Sequence, residues 1–293
     1  MSELAKRWAV AVVAIPLVFL FGYRGGWTLA VPLAGFAGWA AHECYRLAAR
    51  KEVRPLGPIG SATAAGLVLM AALRPTFATF APFALALIGV SAMVTVVSAM
   101  VVRGPGERPL AATSITLFGA IYAGLSLSFM PLLHALPTAL NWGGGSSPAW
   151  SGFLVLTLPL VATWVGDASA LFAGTAWGKA KLAPTISPNK SWVGFCAELG
   201  GGAVAGVVWV LFAGPYLPSL AQLPVAVFAC LGALLGLAAV IGDLVESLLK
   251  REAGVKDSGT FFPGHGGVID RIDSLMFTIP TAYWALVVLG TVQ

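Results

Sequence analysis

Long apolar runs broken by short charged segments account for nearly the whole chain. Nine runs stand out, at about 8–23, 27–45, 58–73, 77–101, 109–136, 151–176, 192–213, 222–249 and 272–290. A helix crossing a bilayer needs roughly 20 apolar residues, and all but the shortest runs come close to that length. The pattern predicts an all-α polytopic integral membrane protein with about nine transmembrane helices. No remaining segment is long enough to form a separate soluble domain, so any chemistry must sit on loops and helix ends at the membrane surface.

Composition agrees. Hydrophobic residues make up 58% of the 293 and charged residues 10%, with a mean hydropathy of +0.87. Soluble domains are about 45–50% apolar and about 25% charged. With nine spans and a cytoplasmic N-terminus, fifteen of the seventeen Lys and Arg fall on the cytoplasmic side, leaving Arg24 and Arg74 outside. The opposite topology would break the positive-inside bias. The pI near 9.3 therefore reflects topology and calls for no nucleic-acid partner. Lys6 and Arg7 precede the first run without a small-residue cleavage site after it, which reads as an uncleaved anchor. Cys44, Cys196 and Cys230 are isolated and read as packing residues.

The two halves differ in chemistry. Residues 1–136 read as a transmembrane scaffold and 150–293 as the catalytic region. In the first half, His42 and Glu43 beside Arg46, Arg50, Lys51 and Arg54 read as an interfacial anchor. Gly174-x-x-x-Gly178, Gly202-x-x-x-Gly206 and Gly232-x-x-x-Gly236 suit either a homodimer face or close packing within one bundle, the second being favoured.

Eight of the twelve acidic residues lie beyond residue 160. Asp167, Glu198, Asp243 and Glu246 fall inside apolar runs. Each charge at the centre of a spanning helix costs about 2.5–3.5 kcal/mol on insertion scales, so these groups must face the bundle interior or a wet cavity. Asp167, Glu198 and Asp243 sit at similar depth on three neighbouring spans, which suggests one site. Asp243, Glu246 and Lys250 share a helical face by their spacing of three and four. A face running carboxylate, carboxylate, ammonium suits a metal and a phosphate together; an intrahelical Glu246–Lys250 pair is the plainer alternative.

The densest chemistry lies in residues 247–273, SLLKREAGVKDSGTFFPGHGGVIDRID. Lys250, Arg251, Lys256 and Arg271 are offset by Glu252, Asp257, Asp270 and Asp273, giving zero net charge over 250–273. An anionic-lipid patch would be basic throughout. Balanced charge suits carboxylates holding Mg²⁺ and cations holding phosphates, within a glycine-rich loop whose N–H groups can approach a ligand. Asp270 and Asp273 also have an ordinary role open to them, capping the last helix. Ser187-Pro188-Asn189-Lys190-Ser191, directly before the seventh span, offers hydroxyls, a lysine and a helix N-terminus to an anion.

Residues 247–273 closely resemble the signature of phosphatidate cytidylyltransferases, the CDP-diacylglycerol synthases: a serine, Lys-Arg, Lys-Asp, Pro-x-His-Gly-Gly and Asp-Arg-x-Asp at these separations. Gly242 to Ser247, Asp167 with Ala170, and Ser187-Pro188-x-Lys190 are also similar to that family, so the resemblance covers about residues 150–290. It implies transfer of CMP from CTP to phosphatidate, giving CDP-diacylglycerol and pyrophosphate in phospholipid biosynthesis. It also implies a Mg²⁺ centre on Asp243, Asp270 and Asp273, with a second cation left open. Lys256, Asp257, His265 and Arg271 would belong to the catalytic loop. Asp167, Ser187, Lys190, Lys250 and Arg251 would bind CTP and the lipid phosphate. The expected setting is a bacterial-type inner membrane with N-terminus and active site cytoplasmic. One departure is Val193, where the family usually carries a glutamate.

Other classes fit less well. A transporter built of repeats would carry matched carboxylates in both halves, and the first half has no intramembrane acid. The Asp-Gly-x-x-Ala-Arg pattern of CDP-alcohol phosphotransferases is absent. A polyprenol kinase would also handle nucleotide and lipid, and labelled-product analysis separates it.

Overall fold

In lipid a backbone N–H or C=O finds no water, so each apolar run must satisfy its own hydrogen bonds by forming a helix. The computed structural model describes residues 16–262 and 266–291, and this is what it shows. Helices occupy Gly26–Ala49, Gly57–Leu73, Phe77–Val102, Pro109–Ala139, Pro148–Trp177, Trp192–Ala213, Val225–Glu252 and Leu275–Thr291. Each falls within a few residues of an expected span. Residues 16–24 are helical too, while the start of the first expected span and His265 lie outside the described residues.

Six helices among the described residues are long and apolar enough to cross a membrane, the N-terminal one being Phe77–Val102 and the C-terminal one Ile269–Gly290. Gly57–Leu73 is apolar but shorter, at 17 residues. Outward faces are greasy: Leu85, Met93 and Met100 are 70–74% exposed, as suits contact with acyl chains. Prolines 32, 82, 159 and 280 sit inside helices, which membrane helices tolerate.

The chain divides into two compact units, one formed by Met1–Leu132 with Leu249–Ile272 and the other by Leu133–Leu248 with Asp273–Gln293. The charged loop after the Val225–Glu252 helix thus groups with the N-terminal helices. In this first unit Gly26–Ala49 is locked by Tyr45, whose hydroxyl donates to Thr116 O at 2.8 Å. Its ring fills the space beside Gly60 and Gly119, where any side chain would collide with it.

In the second unit Pro148–Trp177 packs along Trp192–Ala213, pinned by Trp209 Nε1, which donates to Leu154 O and Thr157 Oγ1, both at 3.0 Å. The glycine pairs of Trp192–Ala213 and Val225–Glu252 interlock. A Cβ on Gly206 would lie 3.2 Å from Gly232 Cα, and one on Gly236 would lie 2.9 Å from Glu198 O. These small residues serve close packing inside the unit, the favoured alternative of the two.

The connection between the sixth and seventh expected spans contains a short antiparallel hairpin, β1 (Lys181–Ala183) and β2 (Ser187–Ser191). Strands of three and five residues give too few positions for an alternating pattern to register in the sequence. The hairpin ends where Ser191 caps the next helix, its Oγ accepting from Gly194 N at 3.1 Å.

Candidate active site

Within the second unit, carboxylates from two helix segments converge. One ligand oxygen each from Asp243, Glu246 and Asp273 lies within 4.8 Å of the others. Asp243 and Glu246 share a face of the Val225–Glu252 helix, and Asp273 arrives just before Leu275–Thr291. Gly242 makes the meeting possible. A Cβ there would lie 2.5 Å from Asp273 O and 2.9 Å from Ser274 Cα, so only a glycine lets the two backbones touch.

Asp243 is held from two sides. Lys190 Nζ lies 2.7 Å from its Oδ2, and Ser247 Oγ donates to its Oδ1 at 3.3 Å. Asp273 Oδ1 accepts from Ser274 N at 2.8 Å, a local turn that fixes the carboxylate. Lys190 is carried by β2, so the hairpin is what brings an ammonium to the acidic helix face.

Beside Asp243 opens a cavity of about 600 Å³, lined by Asp167, Lys181, Asn189, Lys190, Glu198 and Asp243 among others. That volume is in the usual range for a small-molecule site, about 300–1,000 Å³. The Asp167 and Glu198 side chains interact directly, so the acids on three spans occupy one region. Glu198 is buried, with Oε1 lacking a hydrogen-bond partner. Ser187 is half-buried at the start of β2, and Val193 is exposed on the first turn of the following helix.

The three converging acids test well for a hard divalent cation. Such ions take several oxygen ligands, with carboxylates preferred. Glu246 joins two of the three expected ligands, Asp243 and Asp273, while the third, Asp270, belongs to the other unit. The spacing of 243, 246 and 250 is the sequence signal for Glu246.

Asp270 belongs to the first unit, where donors surround its carboxylate. Oδ1 accepts from Lys250 Nζ at 2.8 Å, and Oδ2 from Ser258 N and Oγ at 2.9 Å and from Gly267 N at 2.7 Å. The Lys250–Asp270 pair is largely buried, at 14% and 5% side-chain exposure. The chain reaches this arrangement through a sharp helix end. Gly254 takes φ 71°, Val255 N donates to Lys250 O at 3.0 Å and Gly254 N to Arg251 O at 3.1 Å, the paired hydrogen bonds of a Schellman stop. Arg251 Nη1 donates back to Val255 O at 3.4 Å. Lys256, Asp257 and Arg271 are exposed on the same loop and helix turn.

Sequence reasoning missed one residue here. Glu43, read as an interfacial anchor, is only 1% exposed and binds the loop from 215 residues away, through Ser258 Oγ, Val268 N and Ile269 N, each at 3.0 Å. Its signal was a lone acid at the end of an apolar run, which gives no partner.

Comparison with known proteins places these features in a family. Residues 5–289 match the model of the "Cytidylyltransferase family". The chain is 31% identical to the phosphatidate cytidylyltransferase of Synechocystis over 97% of both chains. It is 32% identical to the chloroplastic phosphatidate cytidylyltransferase 4 of Arabidopsis thaliana, over 96% of this chain and 73% of that one. With the phosphatidate cytidylyltransferase of Haemophilus influenzae it shares 40% identity over 131 residues, 45% of each chain. A match that runs nearly end to end, on a chain whose acids and lysine meet beside a ligand-sized cavity, is a family relationship: this integral membrane protein is a member of the cytidylyltransferase family.

Proposed function

We infer that the protein is a phosphatidate cytidylyltransferase, joining CTP and phosphatidate to give CDP-diacylglycerol and pyrophosphate. The observation that carries this reading is the convergence of Asp243, Glu246 and Asp273, with Lys190 on Asp243, beside the cavity. Relatives that bear this activity in their names are similar to it over nearly its full length.

The chemistry asks little of the protein beyond placement and charge. An oxygen of the phosphatidate phosphate attacks the α-phosphorus of CTP. The bond from that phosphorus to the oxygen bridging to the β-phosphate breaks, and pyrophosphate leaves with its electron pair. The attacking monoester is already anionic near neutral pH, so no general base is needed. Asp243, Glu246 and Asp273 would hold Mg²⁺, whose contribution is neutralising phosphate charge. Lys190 supplies a fixed cation at the cavity wall. The resemblance assigns Lys250, Arg251, Lys256, His265 and Arg271 to phosphate oxygens, Asp257 to the same catalytic loop and Asp270 to the metal, and Asp270 also accepts from Lys250, Ser258 and Gly267. Ser187 and Asp167 would contact substrate from the hairpin and the sixth run. Positioning of this kind accounts for much of the rate in phosphoryl transfer.

The excess of Lys and Arg on one side supports an inner membrane location with the N-terminus and site facing the cytoplasm, where CTP is available. The test supplies purified protein with radiolabelled CTP, Mg²⁺ and phosphatidate, and in parallel with other phosphorylated lipids. Label in CDP-diacylglycerol from phosphatidate is the expected result. Label in the product of another acceptor, with none from phosphatidate, overturns the assignment.

A further inference from the structure

The Gly26–Ala49 helix lies far from the signature in sequence, yet it forms a platform for the signature loop within the first unit. The Phe261 ring packs on Trp39 at 5.1 Å between centroids and meets Phe36 at 6.1 Å, and Phe262 faces Phe36 at 6.3 Å. These ring contacts give adhesion with little direction. Direction comes from Glu43. Its Oε1 accepts from Val268 N, and its Oε2 from Ile269 N and Ser258 Oγ, all at 3.0 Å.

The loop is shaped around this carboxylate. A Cβ on Gly259 or Gly267 would run into it, so a side chain at either position would push Glu43 from its place. Val268 and Ile269 open the short helix Ile269–Ile272, and their N–H groups would otherwise lie buried with no partner. Ser258 ties Glu43 to Asp270: its single hydroxyl proton is shared between Glu43 Oε2 at 3.0 Å and Asp270 Oδ2 at 2.9 Å, and its backbone N donates to Asp270 Oδ2 at 2.9 Å. Asp270 in turn carries Lys250. A continuous chain of hydrogen bonds therefore runs from Glu43 through Ser258 and Asp270 to the ammonium of Lys250.

We propose that Glu43 is a positioning residue for the nucleotidyl transfer, fixing Ser258 and residues 266–270 so that Asp270 and Lys250 hold their geometry. Tyr45, two residues on and wedged against Gly60 and Gly119, keeps the platform itself in place. The proposal rests on the functional reading above only for its turnover readout, since loop order is measured without substrate.

The experiment uses full-length protein in detergent, wild type against Glu43→Gln, Glu43→Asp and Ser258→Ala. Two quantities are followed: kcat with the KM for CTP, and the rates of tryptic cleavage after Lys256 in the loop and after Lys181 in the hairpin. Both lysines are exposed. Gln keeps the size but presents a donor where a backbone N–H needs an acceptor, a loss worth about a tenfold change or more. Glu43→Gln is expected to lower kcat at least about tenfold with a smaller change in KM, and to speed cleavage at Lys256 by a similar factor. Cleavage at Lys181 should stay at the wild-type rate, and Glu43→Asp should recover part of both effects. Wild-type kcat and protection in Glu43→Gln would overturn the proposal. So would equal acceleration at Lys181 and Lys256, which marks general loosening. If Glu43→Gln fails to insert, Ser258→Ala takes its place, and the same two results support or overturn the proposal. A wild-type protein inactive on CTP and phosphatidate would sink the functional reading, while the cleavage rates still decide the role of Glu43.

Discussion

Lys190 Nζ stands 2.7 Å from Asp243 Oδ2, joining the hairpin to the acidic face of the Val225–Glu252 helix. Both side chains are partly open to the cavity, at 20% and 33% exposure, so the pair is available to a ligand. An ion pair this exposed adds little to folding, typically about 0–1 kcal/mol. On the proposed chemistry, its position at the cavity wall puts its use in charge stabilisation instead.

Lys190→Met should therefore leave the protein folded and inserted while lowering kcat on the order of a hundredfold, the usual cost of removing one preorganised charge-stabilising donor. Steady-state kinetics with CTP and phosphatidate, alongside the melting temperature in detergent, check both halves of this. A large fall in melting temperature with kcat preserved would assign Lys190 to structure.

Gly242 sets the distance between the acidic helix and Asp273. Gly242→Val should separate Asp273 from Asp243 and Glu246 and destabilise the protein by about 1–3 kcal/mol through overpacking. Activity should fall further than stability does, because the proposed ligand set is split. Raising Mg²⁺ should restore part of the activity of Gly242→Val, and a Mg²⁺ titration of turnover measures it.

The interlocked glycines make a separate prediction. Gly232→Leu places a branched side chain against Gly202 and Gly206 of the neighbouring helix and should lower the melting temperature, by about 1–3 kcal/mol or more in stability. Leu234→Ala, two residues away on an exposed position, should change it little. Thermal unfolding in one detergent, followed by tryptophan fluorescence, compares the two directly.

Much of this architecture was legible because the membrane leaves so few options. A run such as Phe77–Val102 can only be a helix, and its ends show as the shift to Thr76 and Arg103. The costly acids Asp243 and Glu246 announced a site for the same reason. Three features were not legible. The hairpin at Lys181–Ser191 is too short to carry a period, and its strands are held by pairing with each other. The placement of Asp270 in a ring of donors depends on how the loop closes, and nothing in the spacing of 270 and 273 separates their environments. Glu43 was hidden by distance: its partners lie 215–226 residues away, and its local neighbours are the arginines of an ordinary interfacial segment.

The central claim is that Asp243, Glu246 and Asp273 together hold a divalent cation. Glu246 makes the sharpest test, since it enters the set on geometry alone. Binding of Mn²⁺ to the detergent-purified protein, followed by electron paramagnetic resonance, should show tight uptake by wild type and at least about tenfold weaker uptake by Glu246→Gln, Asp243→Asn and Asp273→Asn alike. Wild-type Mn²⁺ affinity in Glu246→Gln would contradict the account.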